Sequence, residues 1–129
     1  MKPQLDLICL VVSDMATSLA FYRALGLDIP PEADTERHVE VSLPGGVRLA
    51  WEPAEFVKEM DPEWTAPVGS AQVSLAFLCD SPADVDAAYA HMAAAGYTGN
   101  EPWDAFWGQR YATLSDPDGN GIDLFSPLA

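Results

Sequence analysis

Positive charge is scarce in this chain. Six Lys and Arg stand against 20 Asp and Glu, a formal net charge of −14 over 129 residues. A surface of that sign repels phosphate backbones and anionic lipid headgroups, which excludes nucleic acid and membrane surfaces as partners. It favours cationic small molecules, although a solvated acidic surface explains the same count. Histidine is nearly absent: His38 and His91 are the only imidazoles, little material for a metal centre built on histidine. The two cysteines, Cys9 and Cys79, both lie inside apolar runs and read as buried reduced thiols, not as a disulfide. No apolar run approaches the about 20 residues needed to span a bilayer. The N-terminal "MKPQLDLICL" enters strand-like sequence without a cleavable signal pattern, so the expected compartment is the cytoplasm. Nucleophile elbows, Walker loops and dinucleotide-binding glycine fingerprints are missing as well, and with them any signature of nucleophilic or nucleotide chemistry.

What is present is globular: 49% hydrophobic and 20% charged residues, in a chain long enough for one domain with a real core. "LDLICLVV" (Leu5 to Val12) is apolar on both faces and predicts a buried strand. A helix follows, capped by Ser13 or Asp14, with Met15, Leu19, Tyr22 and Leu25 as its apolar stripe and Gly26 as its stop. Short strands near "RHVEVSL" and "GVRLAWE" are joined by the turn "PGG". The proline-bearing segment from Pro53 to Ser70 reads as a connection with one short helix at Ala54 to Met60. Then the pattern restarts. "AQVSLAFLC" predicts a second buried strand, and "SPADVDAAYAHMAAAGY" a second helix with Ser81 as N-cap, Pro82 at its first position and Gly96 as its stop. Asp14 and Asp80 end the two matching strands about 66 residues apart, half the chain, which points to a duplicated module and not to a solenoid.

Near the C-terminus, "DPDGNG" (Asp116 to Gly121) places Asp116, Asp118, Asn120 and Gly121 at the first, third, fifth and sixth places of a calcium loop. The twelfth place is Pro127, which offers no side-chain ligand, and the flanks "RYATLS" and "IDLFS" alternate as strands. The stretch therefore reads as the tight turn of a hairpin.

Taken together, "VVSDMATSLAFYRALGL" at the start and "WGQRYATLSDPDGNGIDLFSPL" at the end resemble the vicinal oxygen chelate superfamily, which holds glyoxalase I, bleomycin-resistance proteins and extradiol dioxygenases. The resemblance implies an α+β fold in which two βαβββ modules, about residues 1–66 and 67–129 of one domain, form an open cup of mixed β-sheet with flanking helices, assembled as a homodimer. Enzymes of the family carry metal ligands on the first strand and on a later strand of each module. Matched residue by residue, those positions are Leu7, Leu49, Ser74 and Asp123 here, and only Asp123 holds a carboxylate. A catalytic ion needs about three N, O or S ligands, so no metal and no other cofactor is expected. The alternative is a metal-dependent lyase, isomerase or dioxygenase with a non-standard set drawn from Asp123, His38 and Cys9.

Without a metal, the family members that remain sequester drugs such as bleomycin, in grooves with aromatic faces and acidic rims. The residues expected to bind a small molecule here are Trp51, Trp103, Phe106, Trp107 and Tyr111, with His38, Glu52, Asp104 and Asp123 as polar partners, and Glu101 near the rim. Aromatic faces stack flat heterocycles and attract cations. Arg110 is expected to pair across the hairpin with Asp116 or Asp118. The expected function is antibiotic-resistance-like sequestration of an aromatic or cationic compound, a binding protein more than an enzyme. A ligand-responsive or purely structural dimer is the third reading.

Overall fold

Each half of the chain begins with an apolar strand that ends two or three residues before a helix-capping side chain. In the first half, β1 (Leu7–Val12) leads to α1 (Met15–Leu25), whose N-cap Asp14 accepts a hydrogen bond from the Thr17 amide at 3.2 Å. The helix stops at Gly26, which takes φ +113° and donates to the Arg23 carbonyl, a left-handed C-cap that side-chain-bearing residues resist. Strands β2 (Val39–Ser42) and β3 (Arg48–Pro53) follow, then the short α2 (Ala54–Met60). In the second half, β4 (Ser74–Leu78) leads to α3 (Pro82–Ala94), capped by Ser81 through the Asp84 amide at 3.2 Å. Strands β5 (Gly99–Ala105), β6 (Gln109–Ser115) and β7 (Gly121–Pro127) complete it. The computed structural model describes residues 2–129 and divides into two compact units, one ending at Val68 and one running from Gly69 to Ala129.

The fold class is α+β with two mixed sheets. In the first unit the order is β1-β3-β2, with β1 parallel and β2 antiparallel to β3. In the second it is β4-β7-β6-β5, with β4 parallel to β7 and the other pairs antiparallel. The second unit is thus βαβββ, while the first has one strand fewer among the described residues. The place of a fourth strand is taken by α2 and the segment behind it, where Pro62 and Pro67 remove ladder donors that a strand requires.

The core of the first unit is the α1–sheet interface. Leu19, Phe21 and Tyr22 of α1 and Leu49 and Trp51 of β3 are essentially inaccessible, and the Tyr22 and Trp51 rings lie 5.2 Å apart. In the second unit Val85, Tyr89 and Met92 of α3 are buried, as are Ala112, Leu114, Ile122 and Leu124 of the sheet. The Tyr89 hydroxyl donates to the Gly99 carbonyl and accepts from the Gly99 amide, both at 3.1 Å. Strand alternation then settles the opposite faces. Away from α1 point Leu7, Cys9 and Val11 with Arg48, Ala50 and Glu52; away from α3 point Ser74 and Ala76 with Asp123, Phe125, Tyr111 and Thr113.

The turn between β6 and β7 is built on Asp116, which is 4% exposed. Its Oδ1 accepts from the amides of Asp118 at 2.9 Å and Asn120 at 2.8 Å, and its Oδ2 accepts from the Asn120 side chain at 2.8 Å. Gly119 supplies the positive φ of +87°. Both carboxylate oxygens are occupied by N–H donors, the bonding of an Asx-type turn and not of a calcium loop. The turn closes on the pair Ser115 and Gly121 and thereby sets Asp123 opposite Thr113.

Candidate functional site

Two groups of side chains stand on the sheet faces that turn away from the helices, one in each unit. In the second unit the group is aromatic. Trp103 of β5 pairs with Tyr111 of β6, which pairs with Phe125 of β7, so cross-strand register alone gathers three rings. Trp107, in the tight β5–β6 turn, meets Trp103, Phe106 and Tyr111 edge-to-face, with centroids 5.6, 5.0 and 5.2 Å apart. Tyr111 and Phe125 lie 6.4 Å apart. Its indole N–H donates to Gln109 Oε1 at 2.8 Å, which leaves the Trp107 ring with no unmet polar atom. The cluster is not a core: Trp103 and Trp107 are about half exposed and Phe106 is 89% exposed. One carboxylate adjoins it. Asp123 accepts a hydrogen bond from the Tyr111 hydroxyl, and that bond, with burial adding to it, pushes the Tyr111 phenol up to about 12.

In the first unit the group is charged. Arg48 donates to Asp6 at 2.5 Å and to Glu40 at 2.6 Å. His38 has Glu52 2.8 Å from Nδ1 and Glu40 2.8 Å from Nε2. Two flanking carboxylates favour the doubly protonated imidazolium, so the His38 pKa is raised, first by the hydrogen bond to Glu40 and then by that to Glu52. The same bond holds the Glu40 carboxyl below its ordinary range, with Arg48 adding to it. Cys9 joins the group through Glu52. Burial of its sulfur, with that carboxylate adding, pushes the thiol up to about 11, although the residue as a whole is exposed.

Set against the residues expected from sequence, Trp103, Phe106, Trp107, Tyr111 and Asp123 come together on one face of the second unit, and His38 and Glu52 are bonded to each other in the first. Trp51 does not line a groove. It is fully buried against Tyr22 on the α1 side of β3, and its Nε1 has no hydrogen-bond partner. Asp104 does not join Trp103, because β5 continues through Ala105 and adjacent strand residues face opposite ways. Its carboxylate binds Arg110 at 3.0 Å on the α3 side, where Arg110 also binds Asp86 at 2.9 Å. Arg110 therefore bridges β5 and α3 and does not pair with the turn carboxylates, which lie at the far end of β6. Glu40, Arg48, Asp6, Gln109 and Phe125 were not expected. Period-two spacing from His38 finds Glu40, and spacing from Asp123 finds Phe125, once strand limits are known.

The four positions at which the resemblance implies metal ligands carry a different donor set. Leu49 points into the α1 interface, and its place on the opposite face is taken by Arg48 and Ala50. Leu7 pairs with Arg48, whose guanidinium already holds two carboxylates. Ser74 pairs with Gly121, and Asp123 is bonded by Tyr111. Two apolar residues, one hydroxyl and one engaged carboxylate do not fit a divalent ion. Among the described residues no group of three or more His, Cys, Asp and Glu side chains is arranged to hold one. A hollow of about 580 Å³ in the first unit is lined by Arg37, Pro53, Glu55, Phe56 and Glu59. It contains no member of either group, and its Arg37 is engaged by the Phe56 ring at 4.5 Å and by Glu59.

Among solved structures, a glyoxalase/bleomycin resistance protein/dioxygenase from Nocardioides is 26% identical, with TM-score 0.79 over 99% of this chain and 85% of that one. A family enzyme of the same description from Burkholderia phytofirmans PsJN is 20% identical, with TM-score 0.83 over 98% of this chain and all of that one. A protein of unknown function from Agrobacterium tumefaciens is 27% identical, with TM-score 0.69 over 99% and 96%. No curated protein matches the sequence. No helix among the described residues is long and apolar enough to cross a membrane. The family model described as Glyoxalase/Bleomycin resistance protein/Dioxygenase superfamily matches residues 4–124, and the chain belongs to that superfamily.

Proposed function

We propose that the protein binds a small aromatic or cationic compound without a metal, in the manner of the sequestering members of its superfamily. The observation that carries this reading is the cluster of Trp103, Trp107, Tyr111 and Phe125, half-exposed at its two tryptophans, beside the Asp123 carboxylate. Exposed aromatic faces cost free energy in water, and a bound ring removes that cost. Stacking and cation–π attraction contribute about 0.5 to 2 kcal/mol per contact. The unfit metal positions support the metal-free part. A cytoplasmic homodimer belongs to the same reading, and the self-association is supported by Val73, just before strand β4, and Leu78 at its end, 64% and 68% exposed.

Tryptophan fluorescence tests it, because Trp51 is shielded in the core while Trp103 and Trp107 meet solvent, and Trp107→Ala separates their signal from that of the partly exposed Trp64 in the first unit. Titration with bleomycin-like and other cationic heteroaromatic compounds is expected to quench emission, with affinity falling about 3- to 30-fold in Trp107→Ala. A panel without response at about 100 µM refutes the reading. Stoichiometric binding of nickel, zinc, manganese or iron to untagged protein would instead favour the metal-dependent lyase, isomerase or dioxygenase reading, with Asp123 as one ligand.

A further inference from the structure

The open face of the second sheet changes character along its length. At one end, around the pair Ser74 and Gly121, it is small, and a Cβ added to Gly121 would stand 2.9 Å from the Ser74 side chain. In the middle Asp123 lies between Ala76 and Thr113. The other end is aromatic, beginning at the Tyr111 and Phe125 pair and continuing through Trp107 and Trp103. One two-residue strand step, roughly 7 Å, separates the carboxylate from the aromatic row. Tyr111 belongs to both parts, since its ring meets Trp107 and its hydroxyl holds Asp123 Oδ2. That bond fixes the carboxylate and leaves Oδ1 without a hydrogen-bond partner among those described, on a side chain flanked by uncharged residues.

We infer that the ligand is an arylalkylamine: a flat ring against Trp107 and Trp103, joined by a short tether to a protonated amine whose N–H meets Asp123. The inference rests on the binding reading above and narrows it from an aromatic or a cationic compound to one carrying both groups at a set spacing. A carboxylate oxygen accepts N–H donors in short charge-assisted bonds, which a quaternary ammonium cannot make. The small neighbours Ala76 and Thr113 leave room for the amine beside Asp123, while the bulk of the rings leaves the aromatic row to the aryl group.

Calorimetric titration with 2-naphthylalkylamines of increasing tether length, and with the matching alcohols and trimethylammonium compounds, tests the assignment. The expected order is amine first, at least about tenfold tighter than the alcohol, with the trimethylammonium between them. Affinity should peak at a tether that spans roughly 7 Å. Asp123→Asn is expected to bring the amine to within about twofold of the alcohol, with an unchanged circular dichroism spectrum showing that the variant is folded. In Tyr111→Phe the carboxylate and the ring remain, and the amine preference must persist. Equal binding of amine and alcohol by the natural protein, or a preference that survives Asp123→Asn or vanishes in Tyr111→Phe, overturns the inference and leaves the aromatic site standing. Failure of every naphthyl compound to bind overturns both.

Discussion

Replacing Asp116 by Ala removes the acceptor on which the β6–β7 turn is built. The side chain is nearly inaccessible and accepts three hydrogen bonds, from the amides of Asp118 and Asn120 and from the Asn120 side chain. Hydrogen bonds to charged groups contribute about 1.5 to 3 kcal/mol each, but Asp118 is exposed and its freed amide can turn to water. About 2 to 3 kcal/mol is therefore the expected net loss, which for a chain of this size lowers Tm by about 6 to 15 °C. Asp116→Asn keeps Oδ1 for the two amides and loses only the charge and the third bond, so about 1 kcal/mol is expected there. Thermal and urea melts followed by circular dichroism measure both. A Tm shift under about 3 °C for Asp116→Ala, or equal shifts for the two variants, would show that Pro117 and Gly119 hold the turn unaided. Ligand binding should fall with stability, because a one-residue slip in β7 sends Asp123 to the α3 side. Millimolar calcium should leave the melt unchanged, since both Asp116 oxygens are already engaged by N–H groups.

Tyr111, with its phenol pushed up to about 12 by Asp123, should stay protonated at pH 11 while ordinary tyrosines ionise; ultraviolet difference titration of the natural protein against Tyr111→Phe reads this. His38 titrates with a raised pKa, so its contribution is fully present below the unfolded-state value and is lost as pH rises through the folded one. Stability should therefore decline slightly from pH 6 to pH 8 in the natural protein and not in His38→Gln, by well under 1 kcal/mol because the ring is 42% exposed. Gly99→Ala would drive a Cβ to 2.1 Å from the Thr113 carbonyl oxygen in the neighbouring strand, and a loss of more than about 2 kcal/mol in a urea melt is expected. Cys9, with a thiol near 11, should react with iodoacetamide at pH 8 more than tenfold slower than free cysteine, as mass spectrometry can follow.

The elements of this fold were largely legible because each carries its own local chemistry. Caps at Asp14 and Ser81, stops at Gly26 and Gly96 and the Asp116 turn satisfy backbone groups within a few residues, and no distant contact is needed to read them. What resisted reading was the side of the sheet on which a residue falls. In β3 the run Leu49, Ala50, Trp51 is apolar and buried at all three positions, so alternation leaves no mark and only the flanking Arg48 and Glu52 reveal the parity. A shift of one there moves Trp51 from a ligand face into the α1 core, and it moves the family's metal position from Leu49 to its polar-face neighbours. The Trp103–Asp104 pair failed for a related reason. A polar, aromatic stretch with a proline at 102 reads as a loop, yet it is strand as far as Ala105, with a register shift between Asn100 and Trp103 that no local pattern announces.

The candidate site is accordingly the part of the molecule where local and long-range information had to coincide. Trp103, Tyr111 and Phe125 are brought together only by register between three strands, and that register depends on two turns, at Phe106 to Gly108 and at Asp116 to Asn120. Both turns hold a positive-φ glycine, Gly108 and Gly119, so both are fixed by backbone conformation and not by the ligand face itself. The chemistry of that face can therefore vary while its geometry is kept. On this chain that geometry sets a carboxylate at 123, held by the phenol at 111, beside the rings that Tyr111 meets at Trp107 and Phe125.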